Sequence, residues 1–245
     1  MKKDPVKEFQ LEKENNIKKL GKNRNLRKKA VAFLQESSKV QYSYNFCWLG
    51  RPIIQLPQDI VAIQEIIWSV KPDLIIETGI AHGGSLILSA SILEMIGGNG
   101  LVIGIDIDIR KHNRPLIENH PMFKRIKMIE GSSVSVETFN KVKDETKNKK
   151  KIMVFLDSNH TYSHVLEELN LYSPLVTRGS YIVVFDTITE ILPKTAYLNK
   201  PWGKGNNPKT AVAQFLKKNK NFVIDKNIDN KLLISNNPNG YLKKI

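Results

Sequence analysis

Cysteine and long apolar runs are almost absent from this sequence. Its one cysteine, Cys47, permits neither an internal disulfide nor a metal site built from thiolates, so we expect a reducing, cytoplasmic setting. No apolar run approaches the roughly 20 residues that a membrane-crossing helix needs, so we expect no transmembrane segment. The N-terminal residues MKKDPVK carry no apolar stretch behind their charges, and we therefore expect no secretory signal peptide there.

Acidic residues are outnumbered, since 38 Lys and Arg face 24 Asp and Glu and give a formal net charge of +14. Residues 1–39 carry half of that excess, with twelve Lys or Arg against five acids. However, basic stripes interleaved with aromatic residues, which stack nucleic-acid bases, are missing. We therefore expect no nucleic-acid partner, and the lysines favour solubility or weak attraction to an anionic glycan or membrane surface.

The length of 245 residues suits one large α/β domain with an added arm. Residues 1–40 are predicted to form a charged helical arm, and residues 41–245 to form the domain. The hydrophobic share of 41% and the charged share of 25% are ordinary for a globular protein. Such an arm packs on its own domain or on a second subunit, so we expect a homo-oligomer.

Short apolar strands alternate with helices through the domain. We predict strands at residues 74–76, 101–108, 126–130, 152–157 and 181–186, followed by an antiparallel pair at 222–225 and 232–235. Asp59 is predicted to cap the helix that precedes the first of these strands. The alternation indicates a mostly parallel sheet with helices on both faces, which binds ligands at the carboxyl ends of its strands.

The stretch ETGIAHGGS at residues 77–85 follows the first predicted strand and opens a helix. Glycine lets the backbone approach a ligand closely and adopt turns that are closed to other residues. The spacing of Gly79, Gly83 and Gly84 matches neither G-x-G-x-x-G nor a phosphate-binding loop. The acid Glu77 instead suits a cofactor with a cationic end and no phosphate, such as S-adenosylmethionine. The alternative is a plain strand–turn–helix corner with Glu77 exposed.

Three polar residues follow the next two predicted strands. Asp106 ends the second strand, where a carboxylate accepts the hydroxyls of a ribose in dinucleotide-binding folds. Ser132 and Ser133 come after the third strand and are candidates to meet the adenine edge of a cofactor. The alternatives are a solvated strand end and ordinary turn serines.

Asp157 and Asp186 end two successive strands that we expect to lie side by side. Two ionised carboxylates repel each other, so either one is protonated or a cation lies between them. Oxygen ligands suit Mg²⁺ or another hard divalent ion, and Thr187 is a third candidate ligand. His160 is placed to act as a general base near neutral pH. The alternative is two separately solvated acids and a surface histidine.

Five motifs, taken in order, resemble the cephalosporin hydroxylase / rhamnosyl O-methyltransferase family. They are ETGIAHGGS at 77–85, GIDIDIR at 104–110, FLDSNH at 155–160, VFDT at 184–187 and PWGKGNNP at 201–208. The resemblance runs from about residue 44 to the C-terminus and implies a Rossmann-like class I methyltransferase that uses S-adenosylmethionine. The layout is also similar to that of the metal-dependent catechol-type O-methyltransferases.

The resemblance implies roles for individual residues. The cofactor would contact Glu77, Gly79, Ala81, Gly84, Ser85, Asp106, Ser132 and Ser133. Asp157, Asp186 and Thr187 would hold the divalent metal, and Asp157 and His160 would be catalytic. His160 stands where the catechol-type enzymes keep a catalytic lysine. The chain departs from the pattern at Thr187, where those enzymes have Asn, and at Phe185, where some family members carry an acid.

The resemblance therefore implies an O-methyltransferase that acts on a sugar hydroxyl of a polysaccharide, lipopolysaccharide or glycosylated metabolite. The loop at 197–208, which contains Trp202, is either a wall for this small-molecule or glycan acceptor or a plain Gly/Pro turn cluster. An RNA methyltransferase and a non-catalytic S-adenosylmethionine-binding protein stay open as alternatives. A metal-dependent hydroxylase is disfavoured because no iron-type set of two histidines and one carboxylate stands out.

Overall fold

The computed structural model describes residues 4–245; residues 1–3, which belong to the predicted arm and N-terminus, lie outside the described part. The arm forms two helices, α1 (Pro5–Lys22) and α2 (Arg24–Ser38). Asn23 separates them, and its side chain caps α2 by accepting a hydrogen bond from Leu26 N. Most side chains of the arm are exposed, as expected from its high charge.

Nine strands form within residues 4–245, and seven of them make one sheet. They are β1 (Cys47–Trp48), β2 (Arg51–Pro52), β3 (Leu74–Thr78), β4 (Leu101–Asp106), β5 (Ile126–Glu130), β6 (Ile152–Leu156), β7 (Tyr181–Val184), β8 (Phe222–Ile224) and β9 (Tyr241–Lys244). The order across the sheet is β5–β4–β3–β6–β7–β9–β8, with β3 to β7 parallel and β9 antiparallel to both neighbours. The strand order switches direction between β3 and β6, which is where such sheets open a ligand crevice.

Helices cover both faces of this sheet. They are α3 (Pro57–Val70), α4 (Gly84–Ile96), α5 (Arg114–Glu118), α6 (Val136–Glu145), α7 (Tyr162–Tyr172), α8 (Pro208–Lys218) and α9 (Lys226–Leu232). The apolar sides of α3, α4 and α9 pack on one face, and those of α6, α7 and α8 on the other. The arm helix α1 contacts α9. In the described part of the chain, no helix combines the length and apolar character that crossing a membrane requires.

Apolar side chains pack against both faces of the sheet, which explains why the sequences of the inner strands are unbroken apolar runs. Ile75 packs into one layer, while its neighbours Leu74 and Ile76 pack into the other, because successive strand side chains point to opposite faces. All three residues are fully buried. The predicted mostly parallel sheet with helices on both faces is therefore confirmed.

The predicted terminal antiparallel pair exists, but its second strand was assigned to the wrong residues. The strand β8 pairs with β9, whereas residues 232–235 belong to the end of α9 and the loop after it. Asp225 begins α9 because its carboxylate accepts hydrogen bonds from Asn227 N and Ile228 N. Ile228 and Leu232, four residues apart, then face the core on one side of a helix.

Asp59 does not cap a helix as predicted. The helix α3 begins two residues earlier, at Pro57, a residue that suits the first turn because it needs no backbone donor. Asp59 is fully buried, and its carboxylate accepts hydrogen bonds from Ser235 Oγ (2.6 Å), Asn236 N (2.8 Å) and Tyr241 OH (2.6 Å). The acid thus fixes the C-terminal loop, and burial raises its pKa to about 6.

Candidate active site

A cavity of about 550 Å³ lies at the carboxyl ends of β3, β4, β5 and β6. Its walls include ten of the twelve residues predicted for the site: Gly79, Ala81, Gly84, Ser85, Asp106, Ser132, Ser133, Asp157, His160 and Asp186. The structure therefore brings most of the predicted residues to one place. Two predicted residues, Glu77 and Thr187, are not part of its walls.

The glycines of the turn after β3 serve backbone packing. Gly79 has a φ of +89°, and a methyl group added there would overlap the carbonyl oxygen of Asp157. A methyl group added at Gly84 would overlap the carbonyl oxygen of Pro52 in the β1–β2 hairpin. Glycine is therefore required where the turn meets the end of β6 and where α4 meets the hairpin. The sequence-based explanation, close approach to a ligand, is not needed to explain either residue.

Two buried side chains that the sequence did not reveal hold this turn in place. Arg51 donates from Nη2 and Nε to the carbonyl oxygen of His82, at 2.7 and 3.0 Å. Asn113 donates from Nδ2 to the carbonyl oxygen of Ala81 at 2.9 Å and accepts from Arg51 Nη2 at 3.2 Å. The carbonyls of a loop without regular structure are thereby satisfied, which keeps the loop in one conformation.

Glu77 lies beneath the cavity rather than on its surface. Its carboxyl is almost fully buried and accepts a hydrogen bond from the hydroxyl of Ser85, which does line the cavity. The second oxygen, Oε2, has no hydrogen-bond partner among residues 4–245. Burial raises the pKa of Glu77 to about 8. The alternative of an exposed corner residue is wrong.

Asp106 lines the cavity and organises it at the same time. Its Oδ2 accepts hydrogen bonds from Ile80 N at 2.8 Å and Ala81 N at 3.4 Å, and its Oδ1 accepts one from Asp108 N at 3.2 Å. A carboxylate offers about four acceptor positions, so acceptor capacity is left on Asp106 for a ligand. The residue thus ties the end of β4 to the turn after β3.

The hydroxyl of Ser133 is engaged by an acid that the sequence analysis missed. Glu168 on α7 is fully buried, and its Oε1 accepts hydrogen bonds from Ser133 Oγ at 2.6 Å and Ser158 Oγ at 2.7 Å. His164 places Nε2 at 3.4 Å from the same oxygen, and the hydrogen bond with Glu168 raises the pKa of His164. The four-residue spacing of His164 and Glu168 on one helix was the available signal.

Asp157, His160 and Asp186 form one cluster at the edge of the cavity. One ligand atom of each residue lies within 4.8 Å of those of the other two. The Nε2 of His160 is 3.3 Å from Oδ2 of Asp186. The clustering follows from the fold, because β6 and β7 are parallel neighbours and deliver the residues after their carboxyl ends to the same edge.

Desolvation and mutual repulsion act on this cluster together. Burial, followed by the charges of Asp186, Glu77 and Glu168, holds the pKa of Asp157 well above its usual range. A divalent cation would relieve that repulsion, and carboxylate oxygens are the ligands that hard divalent ions prefer. The donor set therefore fits a divalent metal ion.

Thr187 does not line the cavity. Asp186 adopts a left-handed conformation with a φ of +53°, and its backbone N donates to Asn237 Oδ1 at 3.0 Å. The turn directs the next side chain into the protein, where the hydroxyl of Thr187 donates to the carbonyl oxygen of Pro238 at 2.8 Å. Thr187 is fully buried there, so its assignment as a ligand is not supported by its position.

Two aromatic residues complete the edge beside the cluster. The ring of Trp202 meets the imidazole of His160 edge to face, with ring centroids 4.9 Å apart. Tyr44 also lines the cavity, and burial, followed by the charges of Asp186 and Asp157, raises the pKa of its phenol. In the sequence, Tyr44 falls in an aromatic, proline-marked segment without clean periodicity, which suggests a lid or entry loop but singles out none of its residues.

Comparison with known proteins adds an independent finding. The rhamnosyl O-methyltransferase/CmcI family model matches residues 40–245. A rhamnosyl O-methyltransferase from Mycobacterium tuberculosis is 30% identical over 212 residues, which cover 84% of this chain and 78% of that protein. The chain belongs to the rhamnosyl O-methyltransferase/CmcI family. The resemblance inferred from the five motifs is thus confirmed. The Mycobacterium leprae protein of the same name is 32% identical over 143 residues, covering 57% of this chain and 59% of that protein.

Solved structures agree with the family assignment at the level of the fold. A CmcI structure without ligand is 18% identical, with a TM-score of 0.58, and covers 82% of this chain and 77% of its own. CmcI with Mg and S-adenosylmethionine has the same identity and coverage and a TM-score of 0.56. An O-methyltransferase from Bacillus cereus with S-adenosylhomocysteine is 14% identical, with a TM-score of 0.52, covering 80% of this chain and 81% of its own. The rhamnosyl O-methyltransferase/CmcI domain here therefore has the Rossmann-like class I methyltransferase fold.

Proposed function

We propose that this protein is an S-adenosylmethionine-dependent O-methyltransferase that methylates a sugar hydroxyl with the help of a divalent cation. The observation that carries the proposal is the cluster of Asp157, His160 and Asp186 at the edge of a cavity built on a glycine-rich turn. The names of the curated relatives, rhamnosyl O-methyltransferases, support a sugar as the acceptor. We expect the sugar to belong to a polysaccharide, a lipopolysaccharide or a glycosylated metabolite.

The cavity suits S-adenosylmethionine by its chemistry. Glu77 is buried behind Ser85, which lines the cavity, and its Oε2 has no partner among residues 4–245, so we place the cationic amino end of the cofactor at Ser85, near this acid. The spare acceptor capacity of Asp106 suits ribose hydroxyls, which are hydrogen-bond donors. Ser132 and Ser133 remain our candidates for the adenine side. No phosphate-binding group is needed for this cofactor, in keeping with an acid at the start of the turn.

In the proposed reaction, S-adenosylmethionine, a divalent cation and the residues of this chain have separate roles. When bound, S-adenosylmethionine would supply the methyl group and leave as S-adenosylhomocysteine, and a divalent cation, which Asp157 and Asp186 would hold, would lower the pKa of a nearby hydroxyl. The imidazole of His160 would accept the proton of the acceptor hydroxyl. Asp186, whose Oδ2 lies 3.3 Å from Nε2 of His160, would orient the imidazole. The edge-to-face contact with Trp202 would hold the plane of the imidazole.

The organisation of the chain belongs to the same proposal. The family match begins at residue 40, which supports an arm over residues 1–40 and a catalytic domain over residues 41–245. Arg27 of the arm donates to Asn230 Oδ1 at 2.6 Å, so the arm is fastened to the domain by its side chains. We propose a cytoplasmic homo-oligomer in which exposed apolar residues of the arm contact a second subunit.

Methyl transfer from labelled S-adenosylmethionine to a cell-envelope glycan extract tests the function. The wild-type protein should label glycan, and Asp157→Asn should abolish labelling while its affinity for S-adenosylhomocysteine stays unchanged. Asp144→Asn, on the exposed side of α6, is the matched control and should behave as wild type. Labelling of RNA that falls steeply with salt would instead support an RNA methyltransferase. Cofactor binding with no labelled product would support a non-catalytic protein.

A further inference from the structure

A second cavity, of about 490 Å³, lies beside the cofactor cavity. Its walls come from the end of α2, the short helix Tyr42–Asn45 and the segment between β7 and α8. Five residues line both cavities, namely Tyr44, Ile54, His160, Asp186 and Trp202. The two cavities therefore meet at the cluster that the proposed function makes catalytic.

We infer that this second cavity is the acceptor site, that it takes a sugar residue of a glycan, and that the end of the arm helix α2 helps to select that sugar. The inference rests on the proposed function. It goes further because Leu34, Ser37, Ser38 and Lys39, which line this cavity, lie outside the family-matched range of 40–245. The contribution of α2 to the cavity is therefore not part of the family match.

The position of the second cavity follows from the geometry of methyl transfer. A displacement at carbon needs the attacking oxygen on the side opposite the leaving sulfur, close to the methyl group. The oxygen must also reach the base. His160 lines both cavities, so a hydroxyl that enters from the second cavity meets its imidazole at the junction. An acceptor placed elsewhere along the first cavity would compete for space with the cofactor.

The walls of the second cavity have the chemistry that a pyranose ring requires. Aromatic rings, from Tyr42, Tyr197 and Trp202 among others, offer flat apolar faces for the C–H side of a sugar. Tyr42 is held edge to face against both Phe33 and Phe46, and Tyr197 OH donates to Thr189 O at 3.1 Å. The rings are thus fixed before a ligand arrives, which lowers the entropic cost of binding.

The end of α2 supplies polar groups to the same cavity and is anchored there. Ser37 and Ser38 donate their hydroxyl protons to the carbonyls of Leu34 and Gln35, so their oxygens remain free to accept from sugar hydroxyls. Gln35 donates to Ile191 O at 2.8 Å, and Leu34 packs in a small apolar cluster with two residues of the domain. The wall is therefore a fixed part of the cavity.

Tryptophan substitutions in two separate segments that line the cavity test the inference. Ser38→Trp introduces the ring from the arm, and Thr195→Trp introduces it from the segment between β7 and α8. The control, Lys29→Trp, adds the same ring on an exposed part of α2. We expect the two cavity variants to raise the half-saturating glycan concentration by about tenfold or more in labelled methyl transfer. All three variants should bind S-adenosylhomocysteine, measured by titration calorimetry, within about twofold of wild type.

Two results would overturn the inference, and they differ. If the wild type labels glycan and both cavity variants saturate at the wild-type glycan concentration, the acceptor does not use this cavity and the proposed function stands. If the wild type binds S-adenosylhomocysteine but labels no glycan fraction, the proposed function itself fails and the acceptor site fails with it. Because the two substitutions lie in separate segments, the test stays decisive when one variant alone is misfolded.

Discussion

Nε2 of His160 lies 3.3 Å from Oδ2 of Asp186, across the carboxyl ends of two parallel strands. The two side chains belong to different loops, so their contact depends on the tertiary fold. In the proposed reaction, Asp186 would orient the imidazole of His160, and the imidazole would accept the proton of the acceptor hydroxyl.

Replacement of His160 should remove turnover while leaving cofactor binding intact. We expect His160→Gln to lower kcat by about 10² to 10⁴, the usual contribution of a general base. The half-saturating S-adenosylmethionine concentration should stay near the wild-type value, because the imidazole lies where the cofactor cavity meets the second cavity. His112→Gln, at an exposed histidine outside the cavity, is the matched control. Equal turnover of His160→Gln and wild type would remove His160 from the reaction.

The strand-end acids could be predicted from the sequence because their position depends on simple rules. Each apolar run predicts a buried parallel strand, and parallel strands place their carboxyl ends at one edge of the sheet. Asp106, Asp157 and Asp186 follow such runs, and all three line the same cavity. The prediction failed for residues 232–235, where a short apolar run belongs to a helix end and a loop instead of a strand.

Residues that act through distant contacts could not be predicted in this way. Asn237 holds the backbone of Asp186 from 51 positions away, and Asp59 holds the loop that carries Asn237. Glu168 is buried beneath two serines from different strand ends. Thr187 was expected to be a ligand because it follows Asp186, but the left-handed turn at Asp186 is a tertiary feature. Hydrophobic periodicity carries no information about any of these contacts.

Glu77 should make cofactor binding depend on pH. Its pKa is raised to about 8, so below pH 8 the folded protein holds a neutral carboxyl that pairs poorly with an ammonium group. The carboxylate fraction rises with pH, so affinity for S-adenosylhomocysteine should rise from pH 6 to 8, by at most about tenfold per unit. Titration calorimetry at several pH values measures this. Glu77→Gln should flatten the profile, and an equal slope in that variant would contradict the role.

Asp59 should contribute a pH dependence to stability that is separate from the cavity. Its pKa is about 6 in the folded protein and lower in the unfolded chain, so the folded state binds the proton more tightly. Protonated Asp59 therefore adds to the free energy of unfolding at low pH. This contribution falls by about 3 kcal/mol as the pH rises from about 4 to 6. Urea unfolding gives the free energies of unfolding of wild type and Asp59→Asn at pH 4.5 and pH 7. The wild-type value minus the variant value should be smaller at pH 7 than at pH 4.5. A difference that is larger at pH 7 would mean that the folded protein favours the ionised carboxylate of Asp59.

Gly79 should be more sensitive to substitution than another glycine with the same backbone conformation. Gly79→Ala and Gly179→Ala both place a side chain at a positive φ, +89° and +80°, which costs about 1–2 kcal/mol. Only Gly79→Ala also overlaps the carbonyl oxygen of Asp157, whereas the site at Gly179 is open. Chemical unfolding should show a larger loss for Gly79→Ala. Equal losses would mean that the contact with Asp157 relaxes without cost.

Divalent-cation dependence is the most direct test of the Asp157–Asp186 cluster. Wild-type protein treated with EDTA and dialysed should transfer no labelled methyl group to glycan, and added Mg²⁺ should restore transfer along a saturable curve. Asp186→Asn should require much more Mg²⁺ for the same rate, because one of the carboxylates at the cluster is removed. Full methyl transfer in the presence of EDTA, with no response to Mg²⁺, would contradict a metal-assisted reaction at these two carboxylates.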